Sequence, residues 1–373
     1  MVLYHCSRKE EHNGFFWEQW LIKDLAVQSL LPEKADRQAH MKKYNHTSLR
    51  QFSWTGNKNI SPSESLIEST TLEWYEAKHR KQSLEEITFI NSIKVHSCPY
   101  CGGPVNKNGH RKDGLQRYIC CDCKRKSNPL TNTIFDSHKI PISEWIEYLL
   151  HLFEFHSVKT SAIDNRNSDT TGRYWLFKVF EVLKNIQKDV ILSGCVYIDE
   201  KFLPVIESKK KKDKDGKELK GLSNNQISVA TGTDKITSIF ISMKHGNPSE
   251  ASCWRAYHKH IKEGSVLIHD GELSHNRLVD DLALKSIIHA SSETKGLKDK
   301  DNPLDPINDL HDKLQRFMMA HGGYDRSNIQ DWLNLFWFIM NEPKDKYDKV
   351  KIFIERAISI RKRMKFRDVM LKK

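Results

Sequence analysis

The stretch "CVYIDE", residues 195–200, decides how this chain is read. Cys195, Val196, Tyr197 and Ile198 suit a buried strand, along which side chains alternate between two faces. Asp199 and Glu200 then place two carboxylates side by side. An unpaired charge is costly to desolvate, so either the strand surfaces there or one acid holds something. Alternation sends the two acids to opposite faces. If one of them holds a ligand, the other turns away from it.

Strand-like segments follow: "NQISVATGT" (225–233), "ITSIFISM" (236–243), "SVLIHD" (265–270) and "KSIIHA" (285–290). A helix, "SEASCWRAYHKHI" (249–261), separates the third strand from the fourth, and the chain reads as helical from residue 306 onward. A Lys-rich loop, "ESKKKKDKDGKELKG" (207–221), parts the first two strands and is expected to be mobile. Three strands, a helix, two strands and a helix is the order of an RNase H-like fold. In that fold the middle of the first strand lies beside the end of the fourth, which brings Asp199 next to Asp270. Paired carboxylates repel unless a cation sits between them. Magnesium suits such a site, because it prefers oxygen ligands and keeps several waters. Two such ions would flank an in-line phosphoryl displacement. A third ligand is expected from "NPLDPINDLHDKLQRFMMAHGGY" (302–324), which offers Asp305, Asn308, Asp309, His311, Asp312 and Gln315. His269, next to Asp270, is expected to face away, as Glu200 does.

The cysteines carry a separate signal. "CPYCGG" holds Cys98 and Cys101, and "CCDC" holds Cys120 and Cys123, with eighteen residues between the two pairs. Two C-x2-C knuckles at this spacing are a four-thiolate zinc ribbon, and such a metal contributes about 10–16 kcal/mol to folding. Cys121 is left out of the ligand set. Between the knuckles runs a basic hairpin with Lys107, His110, Arg111, Lys112 and Arg117, turning at Asp113 and Gly114. It suits contact with DNA.

Next comes a helix-turn-helix pattern. "PISEWIEYLLHLFEF" (141–155) has Ser143 as its N-cap candidate, "SVKTSAID" (157–164) is a short second helix, and "NRNSD" (165–169) is a turn. "TTGRYWLFKVFEVLKNI" (170–186), capped by Asp169 or Thr170, carries Thr171, Arg173, Tyr174 and Lys178 near its start, where a major-groove reader would need them. An ordinary helical hairpin linking two domains is the competing reading. The aromatic helix "NIQDWLNLFWFIM" (328–340) reads as core or an oligomer contact.

The bulk properties agree. The chain has 373 residues and a formal net charge of +12, which favours a polyanionic partner. No apolar run approaches the roughly 20 residues of a membrane helix, and the N-terminus is too polar for a signal peptide. The expected architecture is multidomain α+β. It comprises a helical accessory region (1–95, with helices at 15–31 and 71–93), the ribbon (96–137) and the helix-turn-helix-like segment (138–190). An RNase H-like catalytic domain (194–345) and a basic helical tail (346–373) complete it.

From about Cys98 to Met340 these blocks resemble the insertion-sequence transposases that join a zinc ribbon to a DDE-type catalytic domain. The likeness rests on "CPYCGG…RYICCDC", "LTNTIFDSHKIPISEW", "TTGRYWLFKVFEVL", "VYIDE", "LIHDGE" and "DPINDLHDKLQRF". It implies a retroviral-integrase-type catalytic core with Asp199, Asp270 and Asn308 as catalytic metal ligands, Asn308 falling where some members carry asparagine instead of glutamate. The lysine that the family places seven residues later is Gln315 here, a departure. The implied cofactors are structural Zn2+ and catalytic Mg2+ or Mn2+. The implied activity is cleavage at the ends of the protein's own element and transfer of the 3′-hydroxyl into target DNA. The implied partners are terminal inverted repeats, target DNA and further copies of the chain on DNA, in the cytoplasm of a prokaryote near its nucleoid. A catalytically inactive, repurposed DNA-binding protein is the alternative that the two neutral positions raise.

Overall fold

The structure is a computed structural model. It describes residues 83–136, 140–205, 210–219, 223–322 and 325–370. The helix expected over residues 15–31 lies outside the described residues, and so do residues 71–82 of the second one.

A buried carboxylate organises the start of the described chain. Helix α1 (Leu84–Ser92) is capped by Ser83, whose Oγ accepts from the Glu86 amide at 3.2 Å. Glu86 is itself buried, and its two carboxylate oxygens accept from the amides of Ile142 (3.0 Å) and Ser143 (3.2 Å). These amides open helix α2 (Ile142–Phe153), whose N-cap position is Pro141. Ser143 is therefore not the cap the sequence suggests: an acid from another helix satisfies the orphan donors and complements the helix dipole. Between these helices lies a small antiparallel sheet, β1 (Val105–His110), β2 (Gln116–Cys120) and β3 (Lys126–Ser127). Its hairpin turns through Gly114 at φ +86°, which glycine adopts without strain.

Helix α3 (Val158–Asp164) is capped by Ser157, and α4 (Asp169–Leu183) by Ser168, whose Oγ accepts from the Thr171 amide at 3.2 Å. The cap is thus Ser168, and Asp169 and Thr170 lie inside the helix. Helices α3 and α4 touch at Gly172, where a Cβ would come within 2.6 Å of the Ala162 Cβ.

The main sheet contains β4 (Cys195–Pro204), β5 (Gln226–Thr233), β6 (Ser238–His245), β7 (Val266–His269) and β8 (Lys285–Ile288) in the order β6-β5-β4-β7-β8. Strands β4, β5 and β6 pair antiparallel, while β4-β7 and β7-β8 are parallel. The Lys-rich loop between β4 and β5 is described over residues 210–219, where Lys212 and Glu218 form an isolated bridge.

Helices cover both faces. On one lie α5 (Glu250–Tyr257) and α6 (Asn276–Asp281), packed on Val196 and Ile198. After the short α7 (Ser291–Thr294), helix α8 (Asp305–Ala320) covers the other face, with Ile307 against Tyr197 and Ile268. Alternation along β4 thus sends even positions to α5 and odd positions to α8.

Helices α9 (Ile329–Met340) and α10 (Lys346–Ser359) follow, and α11 (Phe366–Met370) ends the described chain. The aromatic α9 is core: Trp332, Phe336 and Phe338 are buried. The same core takes in α2, with the Trp145 and Trp175 rings stacked at 4.3 Å, and α10, through Phe353 and Ile354.

An exposed sheet edge invites unwanted pairing, and on β6 helix side chains complete it. Gln187 donates to the Phe240 carbonyl (3.0 Å) and accepts from its amide (2.7 Å). Gln330 accepts from the Ser242 amide at 2.8 Å, and Asn341 from the Ser238 amide at 2.9 Å. Because Gln187 is buried, Gln187→Ala leaves the Phe240 amide without its partner, while the carbonyl keeps Gln330 Nε2 at 3.1 Å. The expected cost is about 1–3 kcal/mol, to be read as a lower urea midpoint with an unchanged m-value.

Candidate functional site

Strand register brings the two predicted aspartates together. Tyr197 pairs with Ile268 in the parallel β4-β7 ladder, so two residues further on Asp199 stands level with Asp270. Each carboxylate is held by a neighbouring amide: Asp199 Oδ1 accepts from Glu200 at 2.8 Å and Asp270 Oδ1 from Glu272 at 3.0 Å. Gly271 at φ +89° makes the turn after Asp270, and a Cβ there would come within 2.7 Å of Ile288 Cγ2. Burial, followed by the charges of Glu200 and Asp270, pushes the Asp199 carboxyl up to about 7.

Helix α8 closes this face. His311 is buried, and its Nδ1 lies 3.7 Å from Asp199 Oδ2. Burial, aided by the charge of Lys201, holds its imidazole down at about 3, in the neutral form. Asn308 is exposed one turn before His311, and Gln315 is half-buried one turn after it. All three share one side of the helix. Asp309 faces away, bound to Lys313 at 2.5 Å. The structure therefore gathers Asp199, Asp270 and the helix face that carries Asn308. Of the residues that 302–324 offered, His311 is the one shown near an Asp199 oxygen, and it shares its side of the helix with Asn308 and Gln315.

Behind the pair, on the α5 face, lies a buried polar cluster. Glu200 Oε1 accepts from the Tyr257 hydroxyl and from His275 Nε2, each at 3.1 Å, and from Cys253 Sγ at 3.7 Å. His275 Nδ1 is 3.1 Å from His269 Nδ1, and His269 Nε2 is 2.8 Å from Ser286 Oγ. Burial opposes a charge on His275, but Cys253 and Glu200 push it up to about 10. Burial and the adjoining His275 bring His269 down to about 4. One proton assignment satisfies every contact: His275 donates at both nitrogens, and His269 accepts at Nδ1 and donates at Nε2. Glu200 turns away from Asp199 toward this cluster, whereas His269 and His275 each keep a ring nitrogen within 4.8 Å of an Asp270 carboxylate oxygen. Cys253 and Tyr257, four apart on one face of α5, were not singled out by the sequence reading.

The four cysteine sulfurs of Cys98, Cys101, Cys120 and Cys123 lie within 4.8 Å of one another. The closest pairs are Cys98–Cys123 at 3.7 Å and Cys101–Cys120 at 3.5 Å. This thiol set, with spacings near those of a tetrahedral sulfur site, fits a metal ion. Cys121 stays outside it.

The residues expected to meet DNA divide into three kinds. Lys107, Arg111 and Lys112 are exposed, with Arg111 bound to Asp113 at 2.8 Å, and Arg117 is half-buried. On α4, Thr171 is half-buried and Arg173 is exposed beside Asp169 at 3.0 Å. Tyr174 is half-buried and donates its hydroxyl to the Met364 carbonyl at 2.5 Å. Lys178 does not fit the expectation. It is 1% exposed, and its Nζ donates to the Ile134 carbonyl at 2.5 Å and lies over the Trp145 and Tyr174 rings. Burial brings its amine down to about 7. Lys178 is a core group and has no path to a phosphate.

No family model matches the chain, and no curated protein does. Among solved structures the chain is similar to that of a pre-cleavage Mos1 transpososome, with 13% identity, a TM-score of 0.24, and coverage of 57% of this chain and 75% of that one. It is also similar to the Mos1 transposase paired-end complex with the left transposon end, with 15% identity, a TM-score of 0.25 and the same coverage. Likeness at that level places no residue, so the site stands on its own geometry. Among the described residues, no helix is long and apolar enough to cross a membrane.

The raised Asp199 has a thermodynamic signature. Its folded value lies above its unfolded one, so the repulsion is absent below about pH 4, grows as pH rises, and is complete above about 7. Asp199→Asn should therefore stabilise the metal-free protein at pH 8 and be neutral at pH 4. With the side chain 31% exposed, solvent screening leaves a gain of about 1–2 kcal/mol. Thermal melts at the two pH values measure it.

Proposed function

We propose that this chain is a DNA transposase of the DDE type, with an RNase H-like catalytic core in which Asn308 takes the third acidic position. The observation that carries this reading is the level placement of Asp199 and Asp270 on adjacent parallel strands, under a helix face bearing Asn308. A pair of carboxylates held in mutual repulsion is a site for a hard divalent cation. Asp199 and Asp270 would hold Mg2+ or Mn2+ with Asn308 as a neutral oxygen ligand. When bound, the cation would supply charge neutralisation at a phosphodiester and a more acidic attacking hydroxyl or water.

The chain's own residues set the rest. The backbone amides of Glu200 and Glu272 fix one oxygen of each acid and leave the other to a ligand. Neutral His311 fills the space beside Asp199 without adding a competing charge. Asn308 contributes no charge, so the site relies on its two aspartates. At 315, glutamine can donate a hydrogen bond to a backbone phosphate but gives no point charge. The four-cysteine module, as a zinc ribbon, would present Lys107, Arg111, Lys112 and Arg117 to DNA. Thr171 and Arg173 on α4 would add to that surface.

The test uses the full chain and duplexes carrying the DNA that flanks its gene on either side. With Mg2+ or Mn2+, nicking at the ends and joined products are expected. Asp199→Ala and Asp270→Ala should each lower the rate about 10³-fold or more, about 4 kcal/mol of barrier. End binding that never leads to a nick would overturn the enzymatic reading. It would favour a DNA-binding protein without catalysis, to which the neutral Asn308 and Gln315 already point. Under either reading affinity should drop steeply between 50 and 200 mM salt, and Lys178→Met should leave it unchanged. A fluorescence-anisotropy titration measures both.

A further inference from the structure

We infer that Glu200, Cys253 and His275 form a second, fully internal binding site for a transition-metal cation of the zinc class. The three come from separate elements: Glu200 from β4, Cys253 from α5, and His275 from the turn after β7. All three are buried, at 9%, 0% and 0% exposure. One ligand atom from each lies within 4.8 Å of the others.

The spacing suits one ion. Zinc bonded to sulfur at about 2.3 Å and to nitrogen or oxygen at about 2.0–2.2 Å sets neighbouring donors about 3.3–3.7 Å apart. Here His275 Nε2 is 3.1 Å and Cys253 Sγ is 3.7 Å from Glu200 Oε1. The Tyr257 hydroxyl, 3.1 Å from the same oxygen and also in contact with the Thr231 amide, holds the Glu200 carboxylate in place from outside the ligand set. The donor set excludes magnesium and calcium, because thiolate and imidazole are poor partners for hard cations. The outer contacts are in place too. His275 Nδ1 meets His269, which is in turn held by Ser286, the kind of arrangement that orients a ligating imidazole.

Charge balance permits the exchange. With no metal, a charged His275 faces the Glu200 carboxylate and Cys253 is a thiol. Binding M2+ displaces one proton from His275 and one from Cys253, which become a neutral imidazole and a thiolate. Two positive charges enter and two protons leave, so the buried cluster keeps its net charge. The bound ion would tie β4 to the turn after β7, one residue beyond Asp199 and five beyond Asp270. It would be structural, held by Glu200 on the opposite face of β4 from Asp199.

The experiment loads the full chain with 113Cd2+ and records its NMR spectrum, because each site gives its own resonance and thiolate ligands move it downfield. Two resonances are expected: one far downfield from the four cysteines of the ribbon, and one well upfield from a site with a single thiolate. Cys253→Ser should remove only the upfield signal and lower bound zinc by one equivalent per chain; Glu200→Gln should weaken or remove the same signal. A wild-type spectrum with the downfield resonance alone, and one zinc per chain, overturns the proposal whether or not either variant folds. An upfield resonance that Cys253→Ser removes and Asp199→Ala does not, seen without the downfield one, would support it and sink the ribbon instead. Nothing in this outcome depends on DNA cleavage.

Discussion

The parallel pairing of β4 with β7 is the constraint on which the rest of the structure depends. Parallel neighbours run side by side in register, so a residue within one strand can stand level with a residue just past the end of the next without any loop reaching across. In this chain those residues are Asp199, inside β4, and Asp270, directly after β7, and the price is electrostatic. Burial first, and then the charges of Glu200 and Asp270, raise the cost of ionising Asp199, which is why it sits up at about 7. The fold tolerates this because the strands beneath are held by apolar packing on both faces, through Val196 and Ile198 on one side and Tyr197, Ile268 and Ile307 on the other. The repulsion is confined to one level of the sheet, where a cation can relieve it.

That arrangement was legible because it follows from alternation and strand order, which are local or nearly local. The apolar run of "CVYI" marks the strand, the next two residues must part to opposite faces, and the helix after β6 marks the crossover into β7. The four cysteines were equally legible, since knuckle spacing is a property of the chain itself. What escaped was nonlocal. Glu86 caps α2 across 56 residues, and no pattern near Pro141 announces it; Ser143 merely has the composition of a cap. Gln187, Gln330 and Asn341 look like ordinary surface amides until β6 is seen to need partners.

Lys178 shows a different failure. Gly172, Trp175, Leu176, Val179 and Phe180 define the buried side of α4, and residue 178 lies three after Trp175, on that stripe's edge. Treating lysine as a solvent marker hid this. Its four methylenes line the aromatic core beside Trp145 while Nζ finds the Ile134 carbonyl, so the side chain is amphipathic and the environment uses both halves. The helix that reads as a DNA-facing element is therefore committed to the core along more of its circumference than its polar residues suggest, which leaves Thr171 and Arg173 as its outward groups.

The two acids of "CVYIDE" end in unlike environments for one reason. A strand offers its successive residues to different layers, and here the layers differ in what they can supply. On the α8 side Asp199 meets a neutral imidazole and stays partly open to solvent, so its charge is left for something from outside. On the α5 side Glu200 meets a hydroxyl, a thiol and an imidazole pushed up to about 10, so its charge is answered from within. Reversing the two residues would leave each side chain in the wrong layer: a longer acid at the open edge and a shorter one unable to span to His275. The order Asp then Glu thus matches side-chain length to layer depth, and the same register that opens one face for ligands seals the other.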